Sequence, residues 1–127
     1  MATAFLEHVN ITVSDPVKTA ENLEKLFGWH IRWQGEAKDN GWTVHVGNDT
    51  SYVAVYSVGQ PKAPAETSYH TRGGLNHVGV VVEDLQAAEN RVKEMGYVPH
   101  SHADYEPGQR FYFDGDDGIE FEVISYS

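Results

Sequence analysis

The sequence predicts an α+β protein made of two tandem βαβββ modules, each with one helix on the outer face of its sheet. Three observations carry this expectation. A long block of sequence recurs. Each copy opens on a β-rich run and continues at helical spacing. Each then closes on three short apolar runs separated by turn residues.

The recurrence organises the rest of the chain. Leu6-Glu7-His8-Val9-Asn10-Ile11-Thr12-Val13-Ser14-Asp15 returns as Leu75-Asn76-His77-Val78-Gly79-Val80-Val81-Val82-Glu83-Asp84. One residue then drops out. After that gap Ala20-Glu21-Asn22 returns as Ala88-Glu89-Asn90, Gly28-Trp29 as Gly96-Tyr97, and Gly47-Asn48-Asp49 as Gly115-Asp116-Asp117. The copies end on Val53-Ala54-Val55-Tyr56-Ser57 and Phe121-Glu122-Val123-Ile124-Ser125. The modules are therefore drawn as 5–57 and 75–126. Residues 58–74 form a linker punctuated by Gly59, Pro61, Pro64, Gly73 and Gly74.

Each element follows in order. The opening strands are expected over 6–13 and 75–82. In the first helix Val17, Ala20, Leu23, Leu26 and Phe27 fall at helical spacing, after Ser14-Asp15-Pro16 as cap and first turn. In the second, Leu85, Ala88, Val92 and Met95 do the same. Gly28 and Gly96 stand where a helix end takes a left-handed residue. Strands over 29–34, 42–46 and 51–57, then 97–102, 109–114 and 119–125, complete the two copies.

Alternation along the strands assigns their faces. Val9, Ile11 and Val13 form one apolar set, and the amphipathic helix needs such a face to cover. His8, Asn10 and Thr12 then point the other way. The same logic buries Ile119, Phe121 and Val123 under the second helix and turns Glu120, Glu122 and Ile124 away from it. His77 shares a face with Gly79 and Val81, and Tyr52, Ala54 and Tyr56 share one in the first copy. Two histidines thus occupy equivalent places in the repeat. A pseudo-two-fold pairing of the copies would converge His8, His77 and Glu122 in one cup.

Composition bounds the partners. The net charge is −10, from 19 acidic and 9 basic residues, which repels phosphate backbones and makes nucleic acid an unfavourable partner. There are no cysteines, so disulfides, thiolate metal sites and a cysteine nucleophile are excluded. No apolar run reaches the roughly 20 residues needed to span a bilayer, and residues 1–7 lack the pattern of a signal peptide. A cytoplasmic protein without nucleic-acid or membrane partners is expected.

The chain resembles the vicinal oxygen chelate superfamily, which includes glyoxalase I, bleomycin-resistance proteins, fosfomycin-resistance enzymes and extradiol dioxygenases. The likeness runs from Leu6 to Ser125. It rests on Leu6-Glu7-His8-Val9, on Leu75-Asn76-His77-Val78-Gly79-Val80, and on Phe111-Tyr112-Phe113-Asp114 through Gly118 to Glu122. The resemblance implies an open curled sheet, a half-barrel cup, around one divalent metal held by His8, His77 and Glu122. By the family's spacing after the turn glycine, the last ligand is Glu122 rather than Glu120. The family's usual Asp-Pro-Asp-Gly turn stands here as Gly115-Asp116-Asp117-Gly118.

Two neutral imidazoles and a carboxylate suit Fe(II), Mn(II), Zn(II), Co(II) or Ni(II) and leave positions open for a substrate with vicinal oxygens. The plainer alternative makes each histidine an ordinary strand residue. The repeat equivalent of Glu122 is Ala54, whereas glyoxalase I-like enzymes carry a fourth ligand there. Alanine can neither ligate nor accept a proton, so the pattern is closer to the three-ligand members. Tyr112 stands where extradiol dioxygenases carry a substrate-binding tyrosine, and a phenol there could orient a substrate oxygen. It is also a natural packing residue. Fosfomycin-resistance enzymes carry an arginine beyond the glutamate; this chain carries none after Glu122.

Softer candidates complete the set. Tyr52, Tyr56 and Glu120 face the expected cup as substrate-pocket residues. His45, His70, His100 and His102 have no matched partner in the repeat and are read as surface or loop groups. Trp29, Trp33 and Trp42 are read as core or pocket wall, and Arg72 as a linker cation. The expected function is a metal-dependent lyase, isomerase or three-ligand dioxygenase acting on a small molecule as a homodimer. The alternative is a metal-free binding protein resembling bleomycin-resistance proteins, with an acidic aromatic cleft for a cationic ligand.

Overall fold

The computed structural model describes residues 2–105 and 108–127, and the chain divides into two compact units, Met1–Lys62 and Ala63–Ser127. Each is one βαβββ module, and the two share one topology.

In the first unit, β1 (His8–Thr12) leads into α1 (Pro16–Phe27), followed by β2 (His30–Ala37), β3 (Gly41–Gly47) and β4 (Tyr52–Ser57). The sheet order is β1-β4-β3-β2, with β1 parallel to β4 and the other pairs antiparallel. α1 carries the chain from β1 at one edge of the sheet to β2 at the other, and the antiparallel β2-β3-β4 meander then returns β4 parallel to β1. Asp15 caps α1 by accepting from the Lys18 amide at 3.2 Å, with Pro16 in the first turn and Gly28 closing the helix at φ 71°. The helix buries Pro16, Thr19, Ala20, Leu23 and Leu26. Val44, Val46, Val53 and Val55 meet it from the sheet. Val17 belongs to the periodic set in the sequence, yet it is exposed, and Thr19 takes the buried place instead.

The second unit repeats the plan: β5 (Val78–Val81), α2 (Leu85–Glu94), β6 (His100–Tyr105), β7 (Gly108–Asp114) and β8 (Glu120–Ser125), ordered β5-β8-β7-β6. Asp84 caps α2 by accepting from the Ala87 amide at 3.0 Å. The core here is aromatic. Phe111, Phe113 and Phe121 stack in sequence beside Ala88, Val92 and Val123, with Phe113 and Phe121 rings 5.1 Å apart. The opening strand is shorter than its sequence pattern and begins at Val78, which leaves His77 at its mouth.

The two modules differ by one residue in the last hairpin. Gly47 pairs with Tyr52 in the first, and Asp114 pairs with Glu120 in the second. The first turn is held by Asn48, whose side-chain oxygen accepts from the amides of Thr50 and Ser51. The second is a short 3₁₀ turn with Asp117 at φ 57° and Gly118 at φ 73°. Among the described residues, no helix is long and apolar enough to cross a membrane.

Candidate functional site

The face of each sheet opposite its helix carries the polar side chains, as alternation requires. In the first unit these are His8, Asn10 and Thr12 on β1, Tyr52, Ala54 and Tyr56 on β4, and Thr43 and His45 on β3. All of them except Thr12 line a cleft of about 390 Å³ together with Ala37 and Lys38. The centre of this face is a ring stack. His8 lies over Tyr52 at 4.8 Å and 10°, His45 meets Tyr52 at 4.5 Å and 23°, and Arg32 places its guanidinium 4.5 Å from the same ring. Trp33 tilts against His45 at 5.2 Å. It is half exposed and so walls this face rather than filling the core; Trp42 is also exposed and donates to Gln34 at 3.2 Å.

His8 Nδ1 is 2.8 Å from Glu7 Oε1, and the Tyr52 hydroxyl donates to the same oxygen at 3.4 Å. The hydrogen bond to His8 is the main reason Glu7 lies below the ordinary carboxylate range. Burial, then Glu7, push Tyr52 upward. Tyr56 folds back on its own unit, its hydroxyl donating to the Lys38 carbonyl at 2.6 Å. A side chain at Gly41 would collide with the Tyr56 ring at 2.6 Å, so that glycine makes the contact geometrically feasible. Tyr56 therefore forms a wall of the cleft, with its hydroxyl already committed.

His45 requires a correction. The sequence offset gives it no partner in the repeat. The register does: His45 pairs opposite Ala54, as Tyr112 pairs opposite Glu122. The extra residue in the second hairpin hides this equivalence. His45 thus stands across from the alanine that replaces the glutamate. Burial, reinforced by His8 and Arg32, holds its imidazole below the usual histidine value.

The second unit carries the denser polar cluster. His77 and Glu122 come together, with His77 Nε2 3.2 Å from Glu122 Oε1. The other carboxylate oxygen, Oε2, accepts from Arg110 Nη1 at 2.8 Å, and both of these side chains are largely buried (12% and 14% exposed). On the far side of the imidazole, Nδ1 lies 3.3 Å from the Tyr69 hydroxyl and 3.5 Å from Glu120 Oε1. Tyr69 also donates to Glu120, and that bond pushes its phenol up to about 12. Tyr112 meets His77 edge-on at 5.6 Å and stacks on His100 at 6.2 Å. Among the expected site residues, this unit gathers His77, Tyr112, Glu120 and Glu122 on one face; His8, Tyr52 and Tyr56 share the face of the other.

Arg110 and Tyr69 were not singled out from the sequence. Arg110 could have been, since it stands two places before Tyr112 on a strand and must share its face. Tyr69 lies in a 3₁₀ turn of the linker (Ser68–His70), where no period reports direction.

The pair His77–Glu122 can be tested for metal fit. Two donors each about 2.1 Å from one ion, at roughly 90–110°, lie about 3.0–3.4 Å apart. The observed 3.2 Å satisfies that spacing. Arg110 on the second oxygen fixes the carboxylate for one-oxygen ligation, as the outer partners of ligating carboxylates do.

The sequence matches the family model of the Glyoxalase/Bleomycin resistance protein/Dioxygenase superfamily over residues 7–113. The chain belongs to this superfamily. Solved members of similar fold include a glyoxylase/bleomycin resistance protein/dioxygenase domain from Frankia sp. EAN1pec, 20% identical at a TM-score of 0.81, with 98% of each chain covered. The fosfomycin resistance protein FosX of Listeria monocytogenes, complexed with Mn(II) and sulfate, is 17% identical at a TM-score of 0.74 (99% of this chain, 95% of that one). TnmS3, an antibiotic binding protein from Streptomyces sp. CB03234, is 16% identical at 0.73, covering 100% and 99%. At these identities the likenesses show the superfamily fold alone. No curated protein sequence matches the chain.

Proposed function

We propose that this superfamily member is a metal-dependent enzyme acting on a small substrate with vicinal oxygens, as a lyase, isomerase or three-ligand dioxygenase. The observation that carries the reading is the 3.2 Å approach of His77 Nε2, at the mouth of β5, to Glu122 Oε1 on the adjacent β8, at chelating separation. His8, the repeat equivalent of His77, is the third ligand in this reading, and the active form is a cytoplasmic homodimer.

A divalent ion of the Fe, Mn, Zn, Co or Ni type would supply Lewis acidity toward two adjacent substrate oxygens. The side chains do the rest. Arg110 holds Glu122 by its second oxygen and keeps the carboxylate aimed at His77. Tyr112, edge-on to His77, donates to a substrate oxygen in this reading. Tyr52 and Tyr56 wall the cleft of the first unit; in the second unit Glu120 accepts from Tyr69. His45 is held neutral near pH 7 opposite Ala54, and it is the group on that face able to take a proton where the fourth carboxylate is missing. The Mn(II) in the FosX structure supports an ion in this fold.

A second reading is favoured by one contact. The Arg110 guanidinium already neutralises Glu122, as a metal otherwise would, and the first unit carries an aromatic cleft of about 390 Å³. A metal-free protein that sequesters a small ligand fits both facts; TnmS3, of similar fold, is an antibiotic binding protein.

Elemental analysis of untagged protein beside Glu122→Ala separates the two. About one ion per chain, lost in the variant, supports the enzyme and directs assays to catechols and glyoxal-derived thioesters. No metal in either protein after soaking in all five ions sinks it and leaves the binding protein.

A further inference from the structure

The geometry points to a second cation site in the second unit, formed by His100, Asp114 and Glu120, which holds a divalent first-row ion independently of His8. The three side chains come from three neighbouring strands: His100 opens β6, Asp114 ends β7 and Glu120 starts β8. Their ligand atoms all lie within 4.8 Å of one another. Asp114 is mostly exposed, so its side chain is free to swing the remaining distance.

Two further observations indicate a cation there. First, Asp114 and Glu120 are direct register partners on one face of the β7–β8 pair. Like charges placed directly opposite on a sheet repel, and this cross-strand pair would destabilise the hairpin end unless a positive charge sits between them. The groups beside them are imidazoles, His77 at 3.5 Å from Glu120 and His100 at 3.6 Å from Asp114.

Second, His100 presents a nitrogen built for a metal. Its Nδ1 is 2.8 Å from the Ser101 hydroxyl, an arrangement that fixes the ring and lets Nδ1 carry the proton. Its Nε2 is shielded from solvent, has no hydrogen-bond partner and faces Asp114 beyond hydrogen-bond distance. A ligating histidine has this pattern: one nitrogen donating to a neighbour and the other aimed as a lone pair at the ion. The strand is bent to achieve it. The β6–β7 register shifts between His100 and Ala103, and Ser101 takes φ 56°, so a bulge re-aims the ring. Tyr69, donating to Glu120, steadies the third ligand.

Two carboxylates and one imidazole neutralise a divalent charge and suit Mn(II), Co(II) or Zn(II). The overall charge of −10 favours cation capture. Glu120 also approaches His77, so the ion would sit beside the His77–Glu122 pair without using either residue.

Metal-free protein titrated with Co(II) in equilibrium dialysis tests the site, with His100→Ala, Asp114→Asn and His77→Ala/Glu122→Gln measured alongside. The inference expects Asp114→Asn and His100→Ala each to bind one equivalent fewer than the parent, while the double variant keeps that equivalent. If the function proposed above fails but this site is real, the parent binds a single ion that survives in the double variant and disappears in Asp114→Asn. Equal stoichiometry and affinity in the parent, His100→Ala and Asp114→Asn overturns the site, as does a parent that binds no Co(II). Should either variant fail to fold by circular dichroism, the native protein decides. Zn(II) must shift the His100 ring signals in NMR, and unchanged signals reject the inference.

Discussion

Arg110 and Glu122 form a largely buried ion pair at 2.8 Å, on the oxygen of Glu122 that faces away from His77. The same carboxylate is therefore shared between a fixed cation and a candidate metal ligand. Two effects compete when the arginine is removed. Losing an outer hydrogen bond to a ligand weakens metal binding by about 10–100-fold, or roughly 1.4–2.7 kcal/mol. Removing a positive charge about 5 Å from a divalent ion relieves repulsion of roughly 7 kcal/mol at an effective dielectric near 20. The second effect is larger. Arg110→Met is expected to tighten Mn(II) or Zn(II) binding at least about tenfold, read by calorimetric titration; unchanged binding would mean that no ion approaches Glu122, and weaker binding that the lost hydrogen bond outweighs the relieved repulsion.

Removing the other partner acts on the fold. Glu122→Ala leaves a guanidinium with little water around it, and breaking a buried pair from one side costs on the order of 3 kcal/mol. The urea midpoint of Glu122→Ala should fall accordingly, and Arg110→Met/Glu122→Leu should recover most of the loss. A double variant as unstable as the single one would contradict the pair as the cause.

Tyr69 is marked by its bond to Glu120. The phenol is pushed up to about 12, chiefly by that hydrogen bond, so its protonated form is favoured in the fold. Its contribution to stability is present below the ordinary tyrosine value of about 10 and is lost as pH rises through about 12. Ultraviolet difference titration should show one tyrosine fewer ionising near pH 10 than in Tyr69→Phe/Glu120→Gln controls corrected for tyrosine number. Glu120→Gln alone should return Tyr69 to the ordinary range.

His45 runs the other way. Burial lowers its value, with His8 and Arg32 adding to the effect, so the fold favours neutral imidazole. Stability from this group is intact above the ordinary histidine value near 6.5 and falls as pH drops through the lowered native value. NMR titration should place the His45 ring below that of a histidine in a denatured control. His8→Ala should bring it part of the way back.

The aromatic core of the second unit gives a stability test. Phe113 is fully buried and touches the rings of Tyr97, Phe111 and Phe121. Phe113→Ala should cost about 3–5 kcal/mol, seen in the denaturant midpoint. A loss below about 1 kcal/mol would show that the core collapses around the gap.

Much of this arrangement was legible in the residues themselves. The repeat carried the element order, because both copies solve one problem: a helix must cover one apolar sheet face. Alternation carried the faces, since a strand has only two, and so turned Glu122 away from the helix. The repeat also gave Ala54 as the counterpart of Glu122, and the parallel registers Asn10–Ala54 and Gly79–Glu122 agree. Only the tertiary structure decided which charges pair. Arg110 on Glu122, Tyr69 on Glu120 and His100 turned toward Asp114 each depend on a hairpin length, a linker path or a bulge. Those features shift register by single residues, and a single-residue shift leaves no mark on a hydrophobic pattern. His45 shows this directly: one extra residue in the second turn makes it the partner of Tyr112, an equivalence the sequence offset hides.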